Sequence, residues 1–433
     1  MQQGQDSTSI APKRFSLGAI LRDPMHIAVH SLGITQITAW GTSYYFLGVL
    51  AKPMAADTGW ELSAIFLGFS IALIVMGFIS SWVGRLIDQF GARTVMCTGT
   101  VIVSIGLLMV SRTAHLYTYY AAWVVLGIGM RCCLYDAAFA AVVQVAPSRG
   151  RTAISYLTLY GAYASTVFWV IAHYLNVNFG WRETLMIFAA INLAVCLPLN
   201  WIGLTWRESA APAVDTVPKP ATATATPAAP EDPVLVGRQR TLGMILFALI
   251  MSMNGFVFGV VSLQLVPLME AAGLATAMAV WVASLKGHGQ FAGRLVEIIF
   301  GRNLKAMTIA RIAIGVLPVA LVILQLAHGQ FWLLVAFTML MGASQGVITI
   351  VRGAVPLALF GAQGYGAVLG YIATPILFVN AFSPTVFALI TDWIGWTNAI
   401  YVLMASSLLT WLAIEMMSRW YERAKHGGAG ESA

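Results

Sequence analysis

The chain has 433 residues, 59% of them hydrophobic and only 9% charged, with a mean hydropathy of +0.80 and a net charge of +7. A water-soluble surface needs roughly a quarter charged residues, so this composition excludes a soluble enzyme and makes lipid the solvent. The positive charge does not imply nucleic acid, because the basic residues fall in alternate loops and not in one patch.

Residues 1–24 contain Lys13, Arg14 and Arg22 but no apolar core or small-residue cleavage site. They read as a cytosolic tail and not as a signal peptide. Apolar runs long enough to cross ~30 Å of hydrocarbon then predict helices over 25–50, 62–83, 94–111, 117–144, 153–175 and 183–204, within a first bundle spanning 25–206. The stretch 207–240 includes Ala221-Thr222-Ala223-Thr224-Ala225-Thr226-Pro227. It has little to bury and is expected to be a flexible cytosolic linker. A second bundle, 241–420, carries predicted helices at 241–268, 276–300, 306–326, 331–359, 365–391 and 398–420, followed by a tail over 421–433. Runs four and ten are longer than a span needs.

Both termini are expected in the cytosol. That choice gathers Arg85, Arg93, Arg149, Arg151, Arg207, Lys219, Arg238, Arg240, Arg294, Arg302, Lys305, Arg419, Arg423 and Lys425, with the N-terminal cations, on one side. The other side keeps Lys52, Arg112 and Arg182, the asymmetry of an inner-membrane protein. Three landmarks recur between the halves: Pro53 to Gly59 with Pro267 to Gly273, Gly84 to Asp88 with Gly293 to Glu297, and Gly180-Trp181 with Gly395-Trp396. The offsets are 214, 209 and 215 residues. The predicted fold is therefore an all-α polytopic membrane protein of twelve helices, in two six-helix bundles with pseudo-twofold symmetry. Parallel repeats of this kind put a solute site between the halves near the midplane.

The segment Gly84-Arg85-Leu86-Ile87-Asp88-Gln89-Phe90-Gly91-Ala92-Arg93 resembles the signature loop between helices two and three of the major facilitator superfamily. Gly84, Asp88, Gly91 and Arg93 match that signature, while Gln89 and Ala92 stand where arginines are usual. The resemblance implies a secondary transporter and a conformational latch at these four residues. In physical terms the glycines permit a tight turn and close helix approach, and Asp88 can accept bonds from a helix N-terminus or from Arg93. The helix-five stretch Leu159 to Trp169 lacks the Gly-Pro pair of many proton-driven drug exporters. Leu134 to Ala140 and Ile350 to Pro356 resemble a bacterial branch, some of whose members handle arsenicals.

Ionisable side chains at membrane depth cost at least ~2.5 kcal/mol on insertion scales and so mark cavities or partners. The candidates are Arg131 and Asp136 in helix four, Lys286 in helix eight and Arg352 in helix ten. Three cations against one aspartate favour an anionic solute, with Arg131, Lys286 and Arg352 as binding residues. A blander reading makes them salt-bridge partners or snorkelling residues. Asp136 and, more weakly, His288 are the proton-coupling candidates. On a continuous helix Arg131 and Asp136 stand about 140° apart, so no direct pair is expected between them. Gln36, Trp40 and Tyr44 on helix one, with Asn254 and Phe258 on helix seven, share helical faces and could wall a pocket. Cys132 and Cys133 read as packing residues ahead of metalloid ligands.

No Gly-x-x-x-x-Gly-Lys-Ser/Thr loop occurs, so ATP is not the expected energy source, and no cofactor or metal is expected. The expected partners are a small-molecule substrate, a possible coupling proton and the bilayer. Efflux of amphipathic drugs or metalloids, and solute sensing without net transport, are the alternatives.

Overall fold

The computed structural model describes residues 23–208 and 235–427. Lys13, Arg14, Arg22 and Lys219, with most of the expected linker and the tail ends, lie outside the described residues. Among the described residues, nine helical stretches are long and apolar enough to cross a membrane. One of them, Tyr365–Ala424, is two helices, because Gly395 at φ +76° breaks the run. Two further spans complete twelve. Residues 24–58 consist of Pro24–Ala39, a wide π-type turn at Trp40–Tyr45, and Leu47–Thr58. Thr276–Phe300 is long enough but more polar, since Lys286, His288 and Gln290 interrupt it.

The spans are α1 (24–58), α2 (Leu62–Phe90), α3 (Ala92–Ser111), α4 (Leu116–Val145), α5 (Pro147–Phe179), α6 (Trp181–Gly203), α7 (Gly237–Ala271), α8 (Thr276–Phe300), α9 (Ala306–Leu326), α10 (Phe331–Phe360), α11 (365–394) and α12 (396–427). Two of the three repeated landmarks have one local cause. Gly59 and Gly273 sit at φ +71° and +103°, Gly180 and Gly395 at +90° and +76°. Each pair has a positive φ at equivalent helix ends, where a Cβ would be strained. The expected loop over 84–93 is almost entirely helix: α2 runs on to Phe90, and Gly91 at φ +81° makes the whole turn. The tail expected from 421 is helical as far as Gly427.

Helices α2 and α11 pack together across the two bundles, as do the first half of α5 and α8. The hydrogen bonds between bundles gather towards the face where the described chain begins and ends, here the terminal face. Asp88 accepts the backbone N–H groups of Gly366 and Ala367 at 2.9 and 2.7 Å. Arg151 donates to the carbonyls of Gly301 and Leu304 at the end of α8, at 2.8 and 2.6 Å, with Glu297 3.6 Å away. A carboxylate at a helix N-terminus and a guanidinium at a C-terminus both complement the macrodipole. Asp88 and Glu297, the acidic residues that end the two echoed motifs, thus stand at counterpart contacts between the bundles.

The same face anchors the start of α1. Asp23 caps Met25 N–H at 3.0 Å and takes two bonds from Arg149 at 2.6 and 2.7 Å, while Arg149 also donates to Glu208. The hydrogen bonds from Arg149 hold the Asp23 carboxyl below its ordinary value of 3.8. A carboxyl more acidic in the folded than in the unfolded chain stabilises fully above the unfolded value, and the contribution fades as pH falls through the folded one. Acidification below 3.8 is therefore expected to lower the unfolding temperature of the purified protein more than that of Asp23→Asn. Parallel thermal melts of the two across that window check it.

Candidate functional site

Helix α4 is not continuous. Cys133 ends its first part, Leu134 takes ψ −168°, and the helix restarts at Tyr135. The break turns Asp136 back towards Arg131, and their Oδ2 and Nη1 atoms lie 3.1 Å apart. The expectation that these two residues do not pair is corrected, because the separation of about 140° holds only for an unbroken helix. Asp136 also lies in the first turn of the second part, where free N–H groups favour a carboxylate.

From the other bundle, Arg352 of α10 places Nη2 2.7 Å from the same Asp136 oxygen. Arg131 Nε donates to Ser80 Oγ of α2 at 2.7 Å. Arg131 is 2% exposed and Asp136 7%. The second carboxylate oxygen of Asp136, Oδ1, is buried without a hydrogen-bond partner. One carboxylate thus sits between two guanidiniums, leaving a surplus positive charge and a free acceptor where the bundles meet.

Helix α1 supports this arrangement. Gln36 Nε2 donates to the carbonyl of Cys133 at 2.8 Å, at the break in α4, and Gln36 Oε1 accepts from Trp40 Nε1 at 3.2 Å. Both ends of the buried Gln36 amide are committed to protein. It holds the break open, whereas the sequence suggested a solute contact. The π-type turn beyond it gathers Trp40, Tyr44 and Tyr45, with ring centroids 4.8 and 6.0 Å from Trp40, and Tyr135 of α4 completes an aromatic wall at 5.2 Å. Wide turns of this kind frequently occur at functional sites.

The α7 and α8 candidates form a separate group. Lys286 Nζ is 3.2 Å from Ser262 Oγ and 5.5 Å from the Phe258 ring centroid. Asn254, two turns before Ser262 on α7, is buried with Oδ1 unpartnered. His288 is exposed and enters none of these contacts. The structure therefore brings Arg131, Asp136 and Arg352 together and leaves Lys286 and His288 outside that cluster.

The four latch candidates also divide. Gly84 lies so close to Gly366 that a Cβ would overlap the Gly366 carbonyl, and Asp88 caps α11. Gly91 makes the turn. Arg93 stays within its own bundle, 4.3 Å over the Trp201 ring and 3.3 Å from Thr205 Oγ1.

The sequence reading missed Arg294 and Gln345. The charge asymmetry accounts for Arg294 as a topology residue, yet it is buried and donates to the Thr158 carbonyl of α5 at 2.7 Å and to Gly346 at 3.3 Å. Its place well inside the predicted helix 276–300 was the available signal. Gln345 is buried on α10 with neither side-chain atom bonded.

Two six-helix bundles that close on one face around a shared charge cluster define a secondary carrier. Comparison with known proteins agrees. The Major Facilitator Superfamily profile matches residues 32–327, and the chain belongs to that family. It is 26% identical over 323 residues to the uncharacterized MFS-type transporter YcxA of Bacillus subtilis, covering 70% of this chain and 73% of that protein. It is also 26% identical over 168 residues to the multidrug resistance protein MdtL of Citrobacter koseri, covering 39% of this chain and 42% of MdtL. Among solved structures, the human organic anion transporter MFSD10 (TETRAN) superimposes with a TM-score of 0.69 at 13% identity, covering 90% of this chain and 99% of that one. The proton:xylose symporter XylE gives 0.65 at 12%, covering 91% and 95%. At those identities the two structures establish the fold alone.

Proposed function

We propose that this chain carries a small anion across a bacterial inner membrane, both termini in the cytosol, by rocking its two bundles about the Arg131–Asp136–Arg352 cluster. The observation that carries this reading is the single buried carboxylate shared by two arginines from different bundles. An anion that reaches the cluster competes with Asp136 for Arg352. Displacement of that carboxylate removes a bond between the bundles, which ties solute binding to the conformational equilibrium. Protonation of Asp136 acts in the same sense and supplies the coupling ion. Arginine suits the task because its fork binds carboxylates and oxyanions in bidentate fashion. With the termini in the cytosol, the bonded terminal face is the cytoplasmic gate. In this scheme Lys286 is a point charge that draws the anion inwards along α7.

A second reading is efflux of amphipathic drugs, which the aromatic wall of Trp40, Tyr44, Tyr45 and Tyr135 and the partial likeness to MdtL favour. Counterflow in proteoliposomes separates the two, using carboxylates, inorganic oxyanions and cationic drugs as probes. Saturable anion exchange that is lost in Arg352→Ala and weakened in Lys286→Ala supports the proposal. Transport of cationic drugs alone, unchanged in both variants, overturns it.

A further inference from the structure

Helix α10 carries Gln345, Thr349 and Arg352 at i, i+4 and i+7, so all three lie on one face. Contacts settle where that face points. Arg352 reaches Asp136 in the other bundle. The Thr349 hydroxyl accepts from Arg294 at 3.5 Å, and Arg294 itself donates across to Thr158 of the other bundle. Gln345 continues this stripe towards the face opposite the termini, about 10 Å from Arg352 along the helix axis. It stands at the middle of its span, 3% exposed, and both Nε2 and Oε1 lack a partner. Its backbone carbonyl, by contrast, accepts from Thr349 at 3.0 Å. Folded proteins pair the large majority of buried polar atoms, and an amide bare at both ends is costly to keep. An apolar residue of the same size would be the stabilising choice here unless the amide has a ligand.

We infer that Gln345 is a specificity-determining residue that binds a neutral hydroxyl or carboxamide on the transported solute. The chemistry follows from the amide. It presents one donor group and one acceptor side by side, so its complement must both accept and donate. A hydroxyl or a carboxamide does so. A bare carboxylate or sulfate only accepts and leaves Oε1 unpaired, and an ammonium only donates and leaves Nε2 unpaired. Taking the anionic group to sit at Arg352, which rests on the function proposed above, the solute is an organic anion with a hydroxyl or amide up to about 10 Å from its charge. Fully deprotonated oxyanions such as sulfate or nitrate, which carry no such group, fill only half of the site. Sites built to bond a hydroxyl discriminate strongly against analogues that lack it.

The test uses the purified full-length protein with matched probes: 6-hydroxyhexanoate against hexanoate, 4-hydroxybenzoate against benzoate, and 1,6-hexanediol as a neutral control. Thermal stabilisation is measured in the wild type and in Gln345→Leu. In the wild type each hydroxylated acid is expected to act at a concentration at least tenfold lower than its partner. In Gln345→Leu the members of each pair become equivalent, and the variant without probe melts at a higher temperature than the wild type. A lower melting temperature for Gln345→Leu shows that the amide is satisfied within the fold and overturns the inference. So does a wild type that fails to prefer any hydroxylated probe. If the diol stabilises the wild type through Gln345 while no acid does, the anion reading fails and the role of Gln345 stands.

Discussion

Asp136→Ala is expected to destabilise the protein more than any other single change in the central cluster and to abolish transport. The substitution leaves Arg131 and Arg352 facing each other, 2% and 24% exposed, with no counter-charge between them. Removing one partner of a buried pair costs about 3–5 kcal/mol, because the remaining charge stays desolvated. For a bundle of this size that corresponds to a fall in melting temperature on the order of 10 °C. Arg131→Met is expected to cost less, since Asp136 keeps Arg352 and the local charge becomes balanced. Combining Arg131→Met with Asp136→Leu should recover part of the loss. The remaining Arg352 is the more exposed guanidinium, and apolar replacement of a buried pair is often neutral. Recovery of stability in the double variant does not restore flux, because the bond that a solute must break is gone. Melting curves and counterflow on the three variants check the order. Equal stability of Asp136→Ala and Arg131→Met would show that the cluster is hydrated and not the buried unit described here.

Much of the fold was legible because its causes are local. Apolar length predicts the spans, and the echoed glycines at 59 and 273, and at 180 and 395, carry positive φ angles that require them. The site was legible only as a set of names. Arg131, Asp136 and Arg352 stand out as ionisable groups in apolar runs, but nothing in Cys132-Cys133-Leu134-Tyr135 announces a helix break. No proline or glycine marks it. Its support comes from Gln36, 97 residues away, and such a partner cannot be read from local sequence. The π-type turn in α1 is similarly silent, although it sets which of Trp40, Tyr44 and Tyr45 share a wall. Gln345 was overlooked for the opposite reason: a neutral residue draws no attention beside three cations. Its spacing from Thr349 and Arg352 was in plain view, but that all three face the other bundle is a tertiary fact.

Opening of the terminal face is expected in Asp88→Ala and, more completely, in Gly84→Val. The two changes act through different physics. Asp88 accepts two backbone N–H bonds from α11 that exist only when the bundles are closed on this side. Hydrogen bonds to a charged group contribute about 1.5–3 kcal/mol each, but Asp88 is exposed to solvent, which brings each nearer to 1 kcal/mol. Their joint loss, about 2 kcal/mol, shifts the closed-to-open ratio roughly thirtyfold. Gly84→Val adds an exclusion: its Cβ would overlap the Gly366 carbonyl, a backbone atom at the start of α11 that cannot swing aside. The helices must part, so little closed state should remain. Thr374 provides the reporter, since its hydroxyl lies 3.3 Å from Ser81 across the same interface. In a background with the four native cysteines replaced, Thr374→Cys should react slowly with a hydrophilic maleimide. Labelling should accelerate about thirtyfold with Asp88→Ala, less with Asp88→Asn, which keeps one acceptor oxygen, and most with Gly84→Val. Labelling that is indifferent to all three changes would mean that the contact between α2 and α11 follows the closure of the bundles and does not hold it.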